Sequence, residues 1–504
     1  MTLRPRTPAV MLQGTGSDVG KSLIVAGLAR LYARQGLAVR PFKPQNMSNN
    51  AAPAMTRGAG ASGEIGRAQA LQARAAGVTS HTDMNPVLLK PQSDIGAQLI
   101  VNGRVRGNAD ARDYHALKPG LMDDVTSAYD RLAADADLVL IEGAGSPAEV
   151  NLRVGDIANM GFAEAADVPV LLVGDIERGG VIAALVGTWT LLSPDERARL
   201  KGYIVNRFRG DVSLFNDAPP IIARHTGMPS LGILPWLDAA QDLPAEDTAS
   251  LAARYEGIGW SAAKIRIAVP HLPRIANFDD LDPLAAEPDV ALRLVTHGED
   301  MPADANLILL CGSKSTRTDM QALHDCGWAA QIDAAAARGA HVIGICGGYQ
   351  MLGRAIADPH GIEGPPGETR GLGLLNVETV IASDKKLAAV TGSAAESGAT
   401  IAGFEMHMGE TTGPDTATPM LLLDDGGEPR PDGAQAVGGR VAGSYVHGLF
   451  SADTFRQAFL ARLNPSRTTG FAWNAHIEVV LERLADHIEE HLDTAQILET
   501  ARRA

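Results

Sequence analysis

Residues 9–31 read AVMLQGTGSDVGKSLIVAGLARL, an apolar run, a glycine-rich turn and an amphipathic run in immediate succession. No other stretch constrains the fold as much, because a buried strand that turns on glycines straight into a helix is the opening unit of a layered α/β domain. The turn comprises Gly14, Thr15, Gly16, Ser17, Asp18, Val19, Gly20, Lys21 and Ser22. Backbone N–H groups at the start of such a helix, with the helix dipole behind them, hold phosphate oxygens. The Lys21 ammonium bridges those oxygens and the Ser22 hydroxyl can reach a Mg2+ ion, so the whole turn is expected to bind a nucleotide. The usual loop places its first glycine five residues before the second. Here Thr15 holds that place and Gly14 lies six before Gly20.

Further short apolar runs follow, AVRPFKP, DLVLIEGAG, VPVLLVGD and KGYIVNRF, separated by segments of helical period. They predict the buried parallel strands of a doubly wound α/β domain. From residue 235 to 261 the sequence turns acidic and loses strand period, which marks a linker. A second series, KIRIAVP, VALRLVTHG, ANLILLCGS, HVIGICGG and VAGSYVHG, predicts a second doubly wound α/β domain. The Ala-, Ser- and Gly-rich residues 381–402 are expected to form an irregular excursion, and 451–503 have helical spacing. The predicted division is a P-loop domain over 1–235, a linker over 236–261, a second domain over 262–450 and a helical segment over 451–504. A length of 504 residues gives room for two or three cores, and an aromatic content of only 4% suits α/β layers better than a β-sandwich.

A net charge of −15 excludes a general nucleic-acid binder, which needs a basic face, so any anionic ligand must meet a local basic cleft. Three cysteines, Cys311, Cys326 and Cys346, form no disulfide framework and lack metal-ligand spacing. No signal-peptide pattern stands in MTLRPRTPAVMLQGTG and no apolar run reaches 18 residues, so the expectation is a cytoplasmic protein that spans no membrane.

Open α/β sheets bind ligands at the carboxyl ends of their strands. Lys43 in RPFKPQN, Glu142 in DLVLIEGAG and Asn206 in GYIVNRF stand at such ends. Lys43 is placed for the nucleotide, Glu142 for a second metal contact beside Ser22, and Asn206 for reading a base edge. Singly each also suits a strand-end cap; together with the loop they favour catalysis.

In the second half Gly344-Ile345-Cys346-Gly347-Gly348 follows an apolar strand. Glycines on both sides allow the sharp strand-to-helix turn that exposes a nucleophile, and the backbone N–H of Gly347 can help hold an oxyanion. His447, in GSYVHGLF, ends another strand and is the candidate base. Cys311 also ends a strand, but only Gly312 follows it and no glycine lies two before, so it reads as structural; Cys326 reads as helical and inert.

Thr15 to Ser22 with the six-residue glycine spacing, Lys43-Pro44 and Glu142-Gly143-Ala144-Gly145 resemble the dethiobiotin-synthetase type of P-loop ligase, which phosphorylates a substrate carboxylate. The second half resembles the class I glutamine amidotransferases. With FKPQNMSNN, EIGRAQALQA, DMNPVLLKPQSD, EGAGSPAEVNLR, NRFRGD, GICGGYQMLG and FEMHMGET all present, nearly the whole chain resembles the cobyric acid synthases, glutamine-hydrolysing amidoligases of the cobalamin pathway. The resemblance implies amidation of the b, d, e and g carboxylates of adenosylcobyrinic acid a,c-diamide to adenosylcobyric acid. It implies ATP and Mg2+, no prosthetic group, and a cobalt corrinoid and L-glutamine as substrates. Glutamine would be hydrolysed at Cys346 with His447 as base, and the ammonia would attack a carboxyl phosphate.

Two positions depart from the pattern. Leu449 stands where class I glutaminases commonly carry the Glu that supports the histidine, so a third member is absent or comes from elsewhere. Cys311 stands where the family's strand-end turn is expected to have proline, and this bears on the second oxyanion donor near Gly312. Arg67, Lys90, Arg153 and Arg207 lie within the family strings and are candidates for the basic cleft. The sister enzyme that amidates the a and c side chains shares both domain types, but NMSNN and DMNPVLLKP argue against it. A partitioning-type ATPase switch would leave Cys346 and His447 unexplained.

Overall fold

The apolar runs of the first half pair as parallel strands. The computed structural model describes residues 6–58, 62–92, 96–244, 255, 259–468 and 470–503. Its first sheet has six parallel strands in the order Ser230–Pro235, Leu200–Phe208, Val170–Asp175, Ala9–Gly14, Leu138–Glu142 and Val39–Phe42. All residues of Ala9–Gly14, Leu138–Glu142 and Val170–Asp175 are buried, as in a sheet covered on both faces. Successive strands lie to one side of Ala9–Gly14 and then to the other. The loop after that strand therefore sits where the strand order reverses, the usual ligand position of an open α/β sheet. A smaller sheet, Gln45–Met47, Val87–Pro91, Gly96–Val101 and Arg104–Asp110, adds strands that the apolar runs did not announce.

By contact density the chain forms two compact units: Met1–Ser48 with Ala54–Glu246 and Ile477–Ala504, and Asn49–Pro53 with Asp247–His476. The expected linker over 236–261 falls partly outside the described residues, and its described beginning forms a 3-10 turn at Asp238–Asp242. The helical tail divides differently from the sequence expectation. Helix Asp453–Leu463 belongs to the second unit, whereas the residues from Ile477 onward belong to the first.

The reason lies on one face of helix Trp473–His491. Ile477, Val480, Leu481, Leu484, Ala485 and Ile488 form a buried stripe at helical spacing. The stripe meets helix Lys21–Arg34 at Gly27, where an added Cβ would come within 2.3 Å of Ile488 Cδ1. Glu478 pairs with Arg30 and, at 2.7 Å, with Arg74; Glu489 pairs with Arg34 at 2.7 Å; and the Tyr32 hydroxyl donates to Thr494 O at 2.7 Å. The first helix of the phosphate-loop unit is thus packed against the end of the chain.

In the second unit Val290–Val295, Ile265–Pro270, Leu307–Leu310, His341–Ile345 and Val441–Ser444 form a parallel sheet, edged by antiparallel Ala434–Gln435. All five expected runs are strands. Residues 381–402 are not an irregular excursion: they lie within a long antiparallel hairpin of Glu378–Ala394 and Thr400–Thr412. Its strands are largely half-exposed and built of small residues, so they carry little hydrophobic period to read. Gly392 is required there, since a Cβ would come within 2.1 Å of Leu422 O on the adjoining strand.

Candidate functional site

Gly20 adopts the left-handed conformation, φ 90°, immediately before helix Lys21–Arg34. Any Cβ at Gly20 would approach Asn206 Nδ2 to 2.1 Å, and that same amide donates to Val19 O at 2.9 Å. Asn206, expected to read a base edge, therefore fastens the loop's own backbone. Lys21 Nζ reaches Gly16 O at 3.2 Å and Gly145 O at 3.3 Å, joining the loop to the EGAG turn after the neighbouring strand.

Glu142, only 1% exposed, is the hub of this end of the sheet. One carboxylate oxygen accepts from Ser22 Oγ at 2.7 Å and Lys43 Nζ at 2.8 Å; the other accepts from Gln72 Nε2 at 2.7 Å and Gln69 Nε2 at 3.4 Å. Burial pushes its carboxyl up, but Lys43, Lys21 and the Ser22 hydroxyl outweigh burial and hold it below the usual range. The Ser22 hydroxyl and an ionised Glu142 are hard oxygen donors of the kind Mg2+ takes. Among the described residues no group of three or more His, Cys, Asp or Glu side chains could hold a metal ion. Gln69 and Gln72 were missed by sequence reasoning; their spacing of three on helix Arg67–Ala75 is the signal that places both on one face.

In the second unit Cys346 stands between strand His341–Ile345 and helix Gly347–Leu352 with φ 53° and ψ −109°, a strained conformation for a non-glycine residue. The flanking glycines are steric necessities. A Cβ at Gly344 would meet Gly348 O at 2.4 Å, and one at Gly348 would meet Leu310 O at 2.0 Å. The Cys346 thiol points at Met406 O, 3.5 Å away. Behind it Gln350 donates to Met408 O at 3.0 Å and accepts from Thr316 Oγ1 at 3.0 Å, which rigidifies the elbow.

His447 is 1% exposed and close enough to Cys346 for each to act on the other's proton. Burial lowers its affinity for a proton, but the Asp280 carboxylate and Cys346 override this and raise the imidazole pKa to about 10. The Phe404 ring stacks on the imidazole at 5.3 Å between centroids. Gly312 lies against the ring as well, since a Cβ there would come within 2.9 Å of His447 Cε1. Ser313 N, next to Gly312 in the chain, lies beside the elbow: a Cβ on Gly347 would approach it to 2.8 Å. His447 Nδ1 lies 2.7 Å from Asp280 Oδ2, a contact that spans 167 positions of sequence and that no motif signals. Leu449, the position where a supporting Glu was sought, is buried in the turn Leu449–Ser451.

Cys311 is fully buried, and burial together with Asp280 and Asp279 pushes its thiol well above the usual range, as expected of a structural cysteine. Cys326 caps helix Thr316–Asp325 and lies 3.0 Å from His297 Nδ1. The four candidates for a basic cleft do not stand ready as one. Lys90 is buried against Glu64 at 3.0 Å, Arg153 bridges Glu164 at 2.7 Å and Glu196, and Arg207 pairs with Asp175 at 3.1 Å. Buried or half-buried cations take internal carboxylate partners when these are in reach, and sequence does not display them. Arg67 opens helix Arg67–Ala75 and is half-buried. No helix among the described residues is long and apolar enough to cross a membrane.

Two family models match the chain: the CobQ/CobB/MinD/ParA nucleotide binding domain over residues 10–251 and the CobB/CobQ-like glutamine amidotransferase domain over 266–455. The cobyric acid synthase of Methylorubrum populi is 57% identical over 498 residues, covering 98% of this chain and 99% of that protein. The cobyric acid synthase of Methylobacterium nodulans is 56% identical, covering 98% and 99%. That of a Ruegeria species is 54% identical, covering 97% and 98%.

Proposed function

Since the chain belongs to the cobyric acid synthase family, we propose that it amidates the b, d, e and g carboxylates of adenosylcobyrinic acid a,c-diamide to give adenosylcobyric acid, using ATP and glutamine. The observation that carries this reading is a single chain, matched along 98% of its length by such an enzyme, that holds both a phosphate loop and a Cys-His nucleophile pair.

The division of labour follows from the two sets of residues. A carboxylate is a poor acceptor of ammonia until phosphorylation supplies a leaving group. The backbone of Gly14 to Gly20, with Lys21 and Lys43, would cradle and neutralise the triphosphate while a substrate carboxylate takes the γ-phosphoryl group. Ser22 and Glu142 would hold Mg2+, which when bound supplies charge neutralisation at the phosphates. In the second unit His447 accepts the Cys346 proton as Sγ attacks the glutamine side-chain carbonyl. The protonated His447 gives that proton to the leaving nitrogen, ammonia departs, and water hydrolyses the remaining thioester to glutamate and restores the thiol. Gly347 N–H and Ser313 N–H are the backbone donors proposed for the oxyanion. Ammonia attacks the carboxyl phosphate, the amide forms and phosphate leaves.

Product mass after incubation of the full chain with the a,c-diamide, ATP, Mg2+ and glutamine tests the reading. Four successive exchanges of OH for NH2 are expected. Amidation of the a and c carboxylates of unamidated cobyrinic acid, with none of the a,c-diamide, would assign the chain to the sister reaction.

A further inference from the structure

Resting on the reading of Cys346 and His447 as a glutaminase pair, we propose that Asp280 is the positioning carboxylate of that pair, replacing from a different part of the fold the acid that Leu449 cannot provide. Asp280 lies in the turn Phe278–Leu281, and its side chain and that of His447 are each 2% exposed. Both carboxylate oxygens are used on the same target segment. Oδ2 takes His447 Nδ1 at 2.7 Å, and Oδ1 accepts from Gly448 N at 2.6 Å. A carboxylate only accepts, so Nδ1 carries its hydrogen whichever partner of the pair holds the second proton, and Nε2 is the nitrogen left to share that proton with the cysteine. The two-point grip fixes the carboxylate, while Phe404 and Gly312 confine the ring, so the imidazole has one orientation.

The turn that presents Asp280 is itself held. Asp280 N donates to Asn277 O at 3.2 Å, and Asn277 Oδ1 accepts from Ala51 N at 3.0 Å, within the same compact unit. The nearest rival is Glu405, adjacent to the strand partner of His447: Phe404 pairs with His447 and Glu405 with Val446. Glu405 is committed elsewhere, to Arg430 at 2.7 Å and Lys386 at 2.9 Å. Asp280 also lies outside every motif that identified the site, which is why spacing alone left the third member open.

The test uses the full chain with Asp280→Asn, Asp280→Glu, Glu405→Gln, His447→Gln and Cys346→Ser. Asp280→Asn is expected to lower kcat for glutamine hydrolysis by about 10²–10⁴-fold, to displace the pH profile of kcat/KM, and to leave ammonia-dependent synthesis within about twofold of wild type. Asp280→Glu should restore part of the rate, and Glu405→Gln should leave the profile in place. A folded Asp280→Asn with wild-type glutaminase rate and pH profile overturns the proposal, and so does equal loss of glutamine- and ammonia-dependent synthesis. Should Asp280→Asn not fold, imidazole 15N spectra of the wild-type chain decide, with the His447 signal identified by difference against His447→Gln. Followed upward in pH until the ring is neutral, a proton that stays on Nδ1 supports the assignment, and one that stays on Nε2 overturns it. Failure of the underlying reading looks different: Cys346→Ser would then still hydrolyse glutamine.

Discussion

The phosphate loop draws Thr15 to Ser22 from one unbroken stretch and needs only two strand-end residues, Lys43 and Glu142, to complete its charge pattern. The cysteine site draws Cys346, His447 and Gly312 from three separate strand ends, and the carboxylate touching His447 from a turn near position 280. The first kind of site is stabilised by the helix it opens and is written locally. The second exists only when a parallel sheet brings its strand ends together, so its parts are as reliable as the register of that sheet. The contrast also runs through charge: at the loop two lysines surround one carboxylate, whereas at the cysteine one carboxylate secures one imidazole.

Substitutions can separate the two regions. The largest effect expected is that of Cys346→Ser, which should cut glutamine-dependent synthesis by about 10⁴-fold or more. With ammonium at high pH, synthesis should stay near wild type, measured as amide product per ATP consumed. Loss with both donors in a folded variant would show that the regions are not separable. Lys21→Ala comes next, with about a 10³-fold loss regardless of nitrogen donor, because its charge acts on the phosphates in each turnover. Normal ammonia-dependent synthesis would remove Lys21 from the phosphate site. Glu142→Gln should raise the Mg2+ concentration needed for half-maximal synthesis by about ten- to a hundredfold, and an unchanged Mg2+ titration would return Glu142 to a purely structural role. The smallest effect belongs to Cys311→Ala: both activities should remain within about twofold and stability should fall by about 1 kcal/mol, read from urea denaturation. A glutaminase collapse in this variant would make Cys311 more than a packing residue.

What could be read in advance follows the same line. The loop, the elbow at Cys346 and the five strands of each expected series were legible, because glycine spacing and apolar runs are local signals. Asn206 was placed at the right strand end, but its amide holds Val19 O, since a strand-end residue can serve the loop as readily as a ligand. Asp280 was illegible for want of any fixed spacing to His447, and the ion pairs of Lys90 with Glu64 and of Arg153 with Glu164 were illegible because those carboxylates come from other elements. The hairpin over Glu378–Thr412 was hidden by small, half-exposed residues that give a strand no period.

The packing of Ile488 against Gly27 has a consequence for biosynthesis. On the ribosome the phosphate-loop helix emerges early, yet the residues from Ile477 onward that cover it are translated only after the whole stretch Asp247–His476. Domains made from continuous sequence can fold as they appear. Here the amidotransferase unit has the greater part of its chain available while the nucleotide-binding unit still waits for a wall of its core, so the enzyme's two activities should mature in the reverse of their order in the gene.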